Sequence, residues 1–191
     1  IKNIKVKKSI LKGILGKLIE LGNEESMEYA KELIYSRDID KGVIAAQTMV
    51  LYAFSKERNF IWGKINKDIE FGKKLMLSLA WSFEYRDIAF TNKLSELQLA
   101  ELYIWLSTCF PHNEDPQHDG VFSPSPRDQI IHLRDGILEK LVNMGSIQSF
   151  EAVEIISRKL PQLEWLVSSV ERARKSWSEK SWVPLNPQEI I

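Results

Sequence analysis

The densest group of side chains able to do chemistry lies in Pro111-His112-Asn113-Glu114-Asp115-Pro116-Gln117-His118-Asp119-Gly120. Asp115, Gln117, Asp119 and Gly120 fall at positions 1, 3, 5 and 6 of a calcium loop, but position 12 is Pro126, where that loop needs a bidentate carboxylate. A transition metal would instead draw on His112 and His118 with Asp115 or Asp119. The prolines and acids suit better an acidic surface crossing between two helices, over residues 111–125. On that reading His112, Glu114, Asp115, His118 and Asp119 are candidate partner contacts, and no metal is assigned.

Two other arrangements could support chemistry. Cys109 stands three residues before His112, yet it sits in the apolar-rich run Leu106-Ser107-Thr108-Cys109-Phe110 and reads as a buried thiol. His132 has Asp128 four residues before it and Asp135 three after, on one polar helical stripe with Glu139, which reads as a solvated face. Gly13-Ile14-Leu15-Gly16-Lys17-Leu18 is too short for a phosphate-binding loop and has no Ser or Thr after the lysine. No serine-nucleophile elbow, His-Glu-x-x-His or Cys-x-x-Cys is present. The segment is therefore read as non-enzymatic, with no cofactor.

A second candidate surface lies near the end. The basic run Arg172-Ala173-Arg174-Lys175 leads to Trp177 and, beyond Ser178-Glu179-Lys180-Ser181, to Trp182. Basic residues interleaved with aromatics can hold nucleic acid by phosphate contacts and stacking. Packing of the tryptophans over the last helix is the preferred reading, so Arg174, Lys175, Trp177 and Trp182 are partner contacts and nucleic acid is disfavoured.

The elements that must position these residues are helices. Val43, Ala46, Gln47, Val50, Leu51 and Phe54 recur at spacings of three and four, as do Leu99, Leu102, Tyr103, Leu106 and Phe110. The pattern predicts helices over 9–21, 24–36, 41–55, 68–85, 95–110, 126–144, 147–160 and 162–177. Ser95 with Gln98 forms a capping-box pattern, and Ser125-Pro126-Arg127-Asp128 supplies a cap, a first-turn proline and an acid. Only Ile1–Val6 alternates like a strand. Trp62, Trp81, Trp105 and Trp165 are expected in the core. The tail 178–191, with Pro184 and Pro187, is expected to be extended.

An internal repeat organises the helices. Leu11–Glu28 aligned with Arg134–Glu151 gives eight identities in eighteen positions, among them Gly13/Gly136, Lys17/Lys140, Leu18/Leu141, Gly22/Gly145 and Ser26/Ser149. The match spans a helix, its glycine stop and the start of the next helix, as in a repeated hairpin. The expected fold is all-α, with stacked antiparallel hairpins forming an α-solenoid or curved bundle over 1–177.

The chain of 191 residues carries 26 Lys+Arg against 26 Asp+Glu, which excludes a strongly basic nucleic-acid binder and an acidic disordered tail. Residues 1–90 hold 16 basic and 12 acidic residues, whereas 91–191 hold 10 and 14, so the halves differ in sign. A single cysteine gives no sign of a secreted disulfide scaffold, and no stretch approaches the ~20 apolar residues of a membrane span. A cytoplasmic protein is expected, and the start at Ile1 suggests a segment of a longer chain.

The second half resembles a bacterial family. The resemblance rests on Ala100–Leu106, Phe110-Pro111, Glu114–Gly120, Pro126-Arg127-Asp128, Leu133–Leu138, Leu160-Pro161, Trp165-Leu166 and the closing Trp182-x-Pro184-x-x-Pro187-x-Glu189. These are similar to the HEAT-like helical-repeat region that follows the nucleotide-binding module of bacterial NACHT (STAND) NTPases, many tied to antiphage defence. The resemblance implies a non-catalytic sensor that binds a protein ligand or neighbouring domains, with catalysis elsewhere. A scaffold or dimerisation module without sensing, or a weak nucleic-acid binder, is the alternative, and oligomeric state stays open.

Overall fold

A computed structural model describes residues 8–85, 94–116 and 125–181. Ile1–Val6, the strand-like start, lies outside them. Among the described residues the chain is all-α: eight helices, one short 3-10 turn and no strand. The helices are α1 (Lys8–Glu20), α2 (Glu24–Ile34), α3 (Ile39–Lys67), α4 (Ile69–Tyr85), α5 (Glu96–Cys109), α6 (Pro126–Met144), α7 (Ile147–Lys159) and α8 (Leu166–Ser181). They fall into two compact units. One is drawn from Ile1–Phe90 and Pro116–Ile130, the other from Thr91–Asp115 and Ile131–Ile191.

In the first unit α3 is the hub, packing against α1, α2 and α4. Its interior holds Leu15 and Ile19 of α1, Ala30 and Ile34 of α2, Ala46, Met49 and Val50 of α3, and Leu75 and Leu79 of α4, all buried. Buried Gln47 is satisfied by donating from Nε2 to the Ser78 carbonyl at 2.9 Å, and Thr48 donates to the Ile44 carbonyl at 2.7 Å. Helix α3 runs twelve residues past the position at which the sequence pattern ends it (55). It bends at Ala53 (φ −137°, ψ 24°), and the second arm buries Ile61 and Ile65. Neither Gly nor Pro marks the bend, so the pattern there simply changes face.

Asp68 closes α3 and opens α4. Its carboxylate accepts from Lys64 Nζ at 2.8 Å and from the Phe71 backbone N–H at 3.1 Å, while the Lys64 ammonium lies 5.1 Å from the Phe71 ring centre.

In the second unit α7 packs against α5 and α8. Helix α5 is covered nearly all round: Leu99, Leu102, Tyr103, Trp105, Leu106 and Cys109 are buried, which agrees with the expected core roles of Trp105 and Cys109. The capping box of Ser95 and Gln98 forms in both directions, at 3.3 and 3.0 Å. At the head of α6, Ser125 and Asp128 exchange the same pair of bonds, at 2.7 and 3.2 Å. Helix α8 departs from its expected span at both ends. Pro161 opens turns closed by Leu163 N–H to Leu160 O (3.0 Å) and Leu166 N–H to Leu163 O (2.9 Å), so the helix starts at Leu166. It then continues through Ser181, so 178–181 are helical rather than extended, and the remaining tail lies outside the described residues.

The internal repeat is realised in the backbone. Among the described residues only Gly22 (φ 76°) and Gly145 (φ 70°) take positive φ, and they are equivalent positions. At the first, Asn23 N–H bonds Leu18 O (3.0 Å) and Gly22 N–H bonds Ile19 O (2.9 Å), a left-handed helix stop. The next residue caps the following helix in both copies. Asn23 Oδ1 accepts from Ser26 N–H at 2.8 Å, and Ser146 Oγ accepts from Ser149 N–H at 3.0 Å.

Two predictions follow from these joints. Gly22→Ala meets no atom within 4 Å, so it carries only the left-handed backbone cost of about 1–2 kcal/mol. Gly145→Ala costs more, because its Cβ would also lie 3.0 Å from the Ser176 carbonyl and displace Lys180; urea midpoints of the two variants rank them. Asp68 is held below the ordinary carboxyl value of 3.8 by the Lys64 hydrogen bond first and the Phe71 N–H second. Its contribution is present above that value and lost as pH falls below it through the folded-state value. Asp68→Asn keeps the cap but removes this acid-side loss, while Asp68→Ala loses about 1 kcal/mol at neutral pH; stability against pH for both variants checks the assignment.

Candidate functional site

The segment Phe110–Asp115 is a clasp held on one buried cation. Arg134 of α6 is fully buried; it donates from Nη1 to the Phe110 carbonyl at 2.8 Å and from Nη2 to Asp115 Oδ2. Its Nε is buried with no hydrogen-bond partner. The Phe110 carbonyl lies just past the end of α5, so the guanidinium takes up part of that helix's unpaired acceptor capacity. Between the two anchors His112–Glu114 form the 3-10 turn.

His112 points into the unit. Its Nε2 lies 3.4 Å from Tyr103 Oη and 3.3 Å from Ser107 Oγ, Nδ1 lies 3.7 Å from Asp115, and the ring meets Trp165 edge-on with centres 5.6 Å apart. Burial pushes the Tyr103 phenol above its ordinary range, so it stays neutral and serves as a hydrogen-bonding group. Trp165, expected in the core, is 45% exposed: its edge rests on His112 and part of its area faces solvent. Cys109 is buried and His132 exposed.

The predicted contact residues thus separate. His112 and Asp115 are engaged inside the clasp, while Glu114 is exposed. His118 and Asp119, and with them the calcium-like spacing, lie outside the described residues, as does Trp182. On α8, Trp177 stacks on Phe150 of α7 with ring centres 5.6 Å apart and planes 13° off parallel, and the Arg174 guanidinium lies 5.6 Å from the same ring centre. Arg174 pairs with Glu171 and Lys175 with Glu179, each at 3.7 Å. Trp177 is thus engaged in packing α8 on α7, and Arg174 and Lys175 each face a carboxylate of their own helix.

A cleft that the sequence does not announce lies in the first unit. It holds about 420 Å³ between the α1–α2 turn and the bend of α3, walled by Asn23, Met27, Tyr52, Ala53 and Lys56. Lys31 on its wall is bridged to Glu28 (2.9 Å) and Glu57 (3.3 Å), which raise its pKa, Glu28 the more strongly. Glu20, Glu24, Glu28 and Glu57 with Lys31 and Lys56 give the cleft a charged lining of both signs. It exists because α3 bends at Ala53, and no residue type signals that bend.

Among the described residues no three His, Cys, Asp or Glu side chains gather as a metal site, and no helix is long and apolar enough to cross a membrane. Neither a family model, a curated protein nor a solved structure matches this chain. The residues themselves therefore carry the functional argument.

Removing the clasp's cation gives its test. Arg134→Ala strands the Asp115 carboxylate and the Phe110 carbonyl, and should cost about 3 kcal/mol. Asp115→Asn should cost less, since its side chain keeps some solvent access. In the double variant the losses should fall short of their sum, as a double-mutant cycle in urea would show.

Proposed function

We propose that this chain is a non-catalytic helical-repeat module that binds a protein ligand, within a larger cytoplasmic signalling NTPase of the NACHT kind that serves in antiphage defence. The observation that carries the proposal is the repeated hairpin. The equivalent glycines Gly22 and Gly145 share a left-handed backbone, and Asn23 and Ser146 cap the following helices alike. A repeated hairpin is the building unit of helical solenoids, whose long rigid surface suits the holding of protein ligands. The local neutralisation of Arg174 and Lys175 favours this reading over nucleic-acid binding.

The complete gene product tests the proposal. A phosphate-binding loop within the same polypeptide is expected, together with slow ATP hydrolysis that survives deletion of this segment while protection against phage is lost. A complete product without a nucleotide-binding module overturns the sensor reading. Sedimentation separates the alternative: a segment that stays monomeric at low concentration suits a binding module, and a tight dimer suits a scaffold.

A further inference from the structure

The cleft of the first unit combines an apolar interior with a charged rim. Glu24, Met27, Glu28 and Lys31 recur at spacings of three and four on one face of α2, and Ala53, Lys56 and Glu57 do so on α3. Ile19 of α1 and Ala53 are buried and Met27 is half-buried, so these three form an apolar floor. Tyr52, 42% exposed, adds an aromatic ring beside it. The volume of about 420 Å³ falls within the range of ligand sites, toward its small end.

The rim carries a negative surplus. Four carboxylates, of Glu20, Glu24, Glu28 and Glu57, stand against the two ammonium groups of Lys31 and Lys56. Lys31 is shared by Glu28 and Glu57 at 2.9 and 3.3 Å, and its Nζ lies 5.7 Å from the Phe60 ring centre, so it is held as part of the wall. Glu20 draws its cation from outside the lining, Lys17 of its own helix, at 3.2 Å. An exposed pair of that kind is weak and exchanges readily, and Glu24 is exposed beside it. Lysine and arginine side chains carry a cationic head on an apolar stem, which complements an acidic rim over an apolar floor.

We infer that this cleft is a docking site for a short basic segment of a protein partner, with an apolar side chain set on Met27 and Ala53 and flanking lysines or arginines meeting Glu20 and Glu24. The inference rests on the protein-binding role proposed above, to which it adds the site and the chemistry of the partner. The apolar anchor gives affinity, and the charges steer the segment and fix its register. A free polyamine shares the cationic chemistry but has no anchor for the floor.

The test titrates the whole chain into a fluorescein-labelled, amidated peptide Lys-Leu-Lys-Leu-Lys at low salt, followed by fluorescence anisotropy. Saturable binding is expected, weakened about tenfold when serine replaces both leucines and abolished when glutamate replaces the lysines. Neutralising the rim with Glu20→Gln and Glu24→Gln together should weaken binding about fivefold or more and flatten its salt dependence. Removing the same charge from exposed acids of the second unit, with Glu151→Gln and Glu164→Gln, should leave it unchanged. Ser55→Trp, at an exposed position of the lining, should occlude the cleft and cost about tenfold. All five substituted residues are exposed, so the helical circular dichroism should be unaltered, and the rim variants decide the matter if Ser55→Trp does not fold. Absence of saturable binding overturns the inference, as does equal loss from the two pairs of neutralised acids. Undiminished binding to a folded Ser55→Trp also overturns it. Displacement by spermidine at the peptide's own concentration assigns the site to a free polyamine and overturns the peptide occupant. Failure of this titration leaves the NTPase reading standing, whereas a gene product without a nucleotide-binding module leaves the docking cleft standing.

Discussion

A hairpin of two short helices can bury only the strip along which its helices touch, so every other apolar position depends on a neighbour. Helices α1 and α2, of thirteen and eleven residues, are too short to stand alone in water, and the first unit resolves this by laying both on α3. That requirement accounts for the length of α3. A helix that must serve α1, α2 and α4 needs more surface than one straight face supplies, and the bend at Ala53 lets its second arm bury Ile61 and Ile65. The cleft of the first unit is the space left where that bend parts from the α1–α2 turn.

In the second unit the same constraint has a polar solution. Arg134 stands where the first copy has Leu11, and this exchange of an apolar residue for a cation is the sharpest divergence between the repeats. A fully buried guanidinium is tolerable only when paired and hydrogen-bonded, and it finds both partners in the turn after α5. The turn in turn places His112 against Tyr103, Ser107 and Trp165. A segment rich in prolines and acids is thereby fixed at its start. The Arg134 Nε remains buried and unpaired, a desolvation cost that the two anchoring bonds must offset.

The helices, their caps and the repeat were legible because each leaves a local mark: three-and-four spacing, a Ser or Asn before an apolar run, a glycine after one. The capping bonds of Ser95 and Ser125 and the positive φ of Gly22 and Gly145 answer those marks directly. What escaped depends on contacts distant in sequence. His112 belongs to the interior because its neighbours come from α5 and from Trp165, fifty-three residues on, and neither leaves a trace beside it. The extension of α8 likewise depends on packing: Lys180 donates to the Asn143 and Met144 carbonyls at 2.5 and 3.2 Å, holding the last turn of α8 to the end of α6. A Trp- and Ser-rich tail viewed alone gives no reason to expect a helix there.

The repeat also explains why the two copies stop differently. In the first, the left-handed turn at Gly22 satisfies carbonyls in the last turn of α1 from its own backbone. In the second, Lys180 supplies donors from α8, and the hairpin is closed by its successor. One left-handed glycine joint is thus completed by its own backbone and the other by a side chain from a later helix, so the same local sequence mark depends on tertiary packing in the second copy.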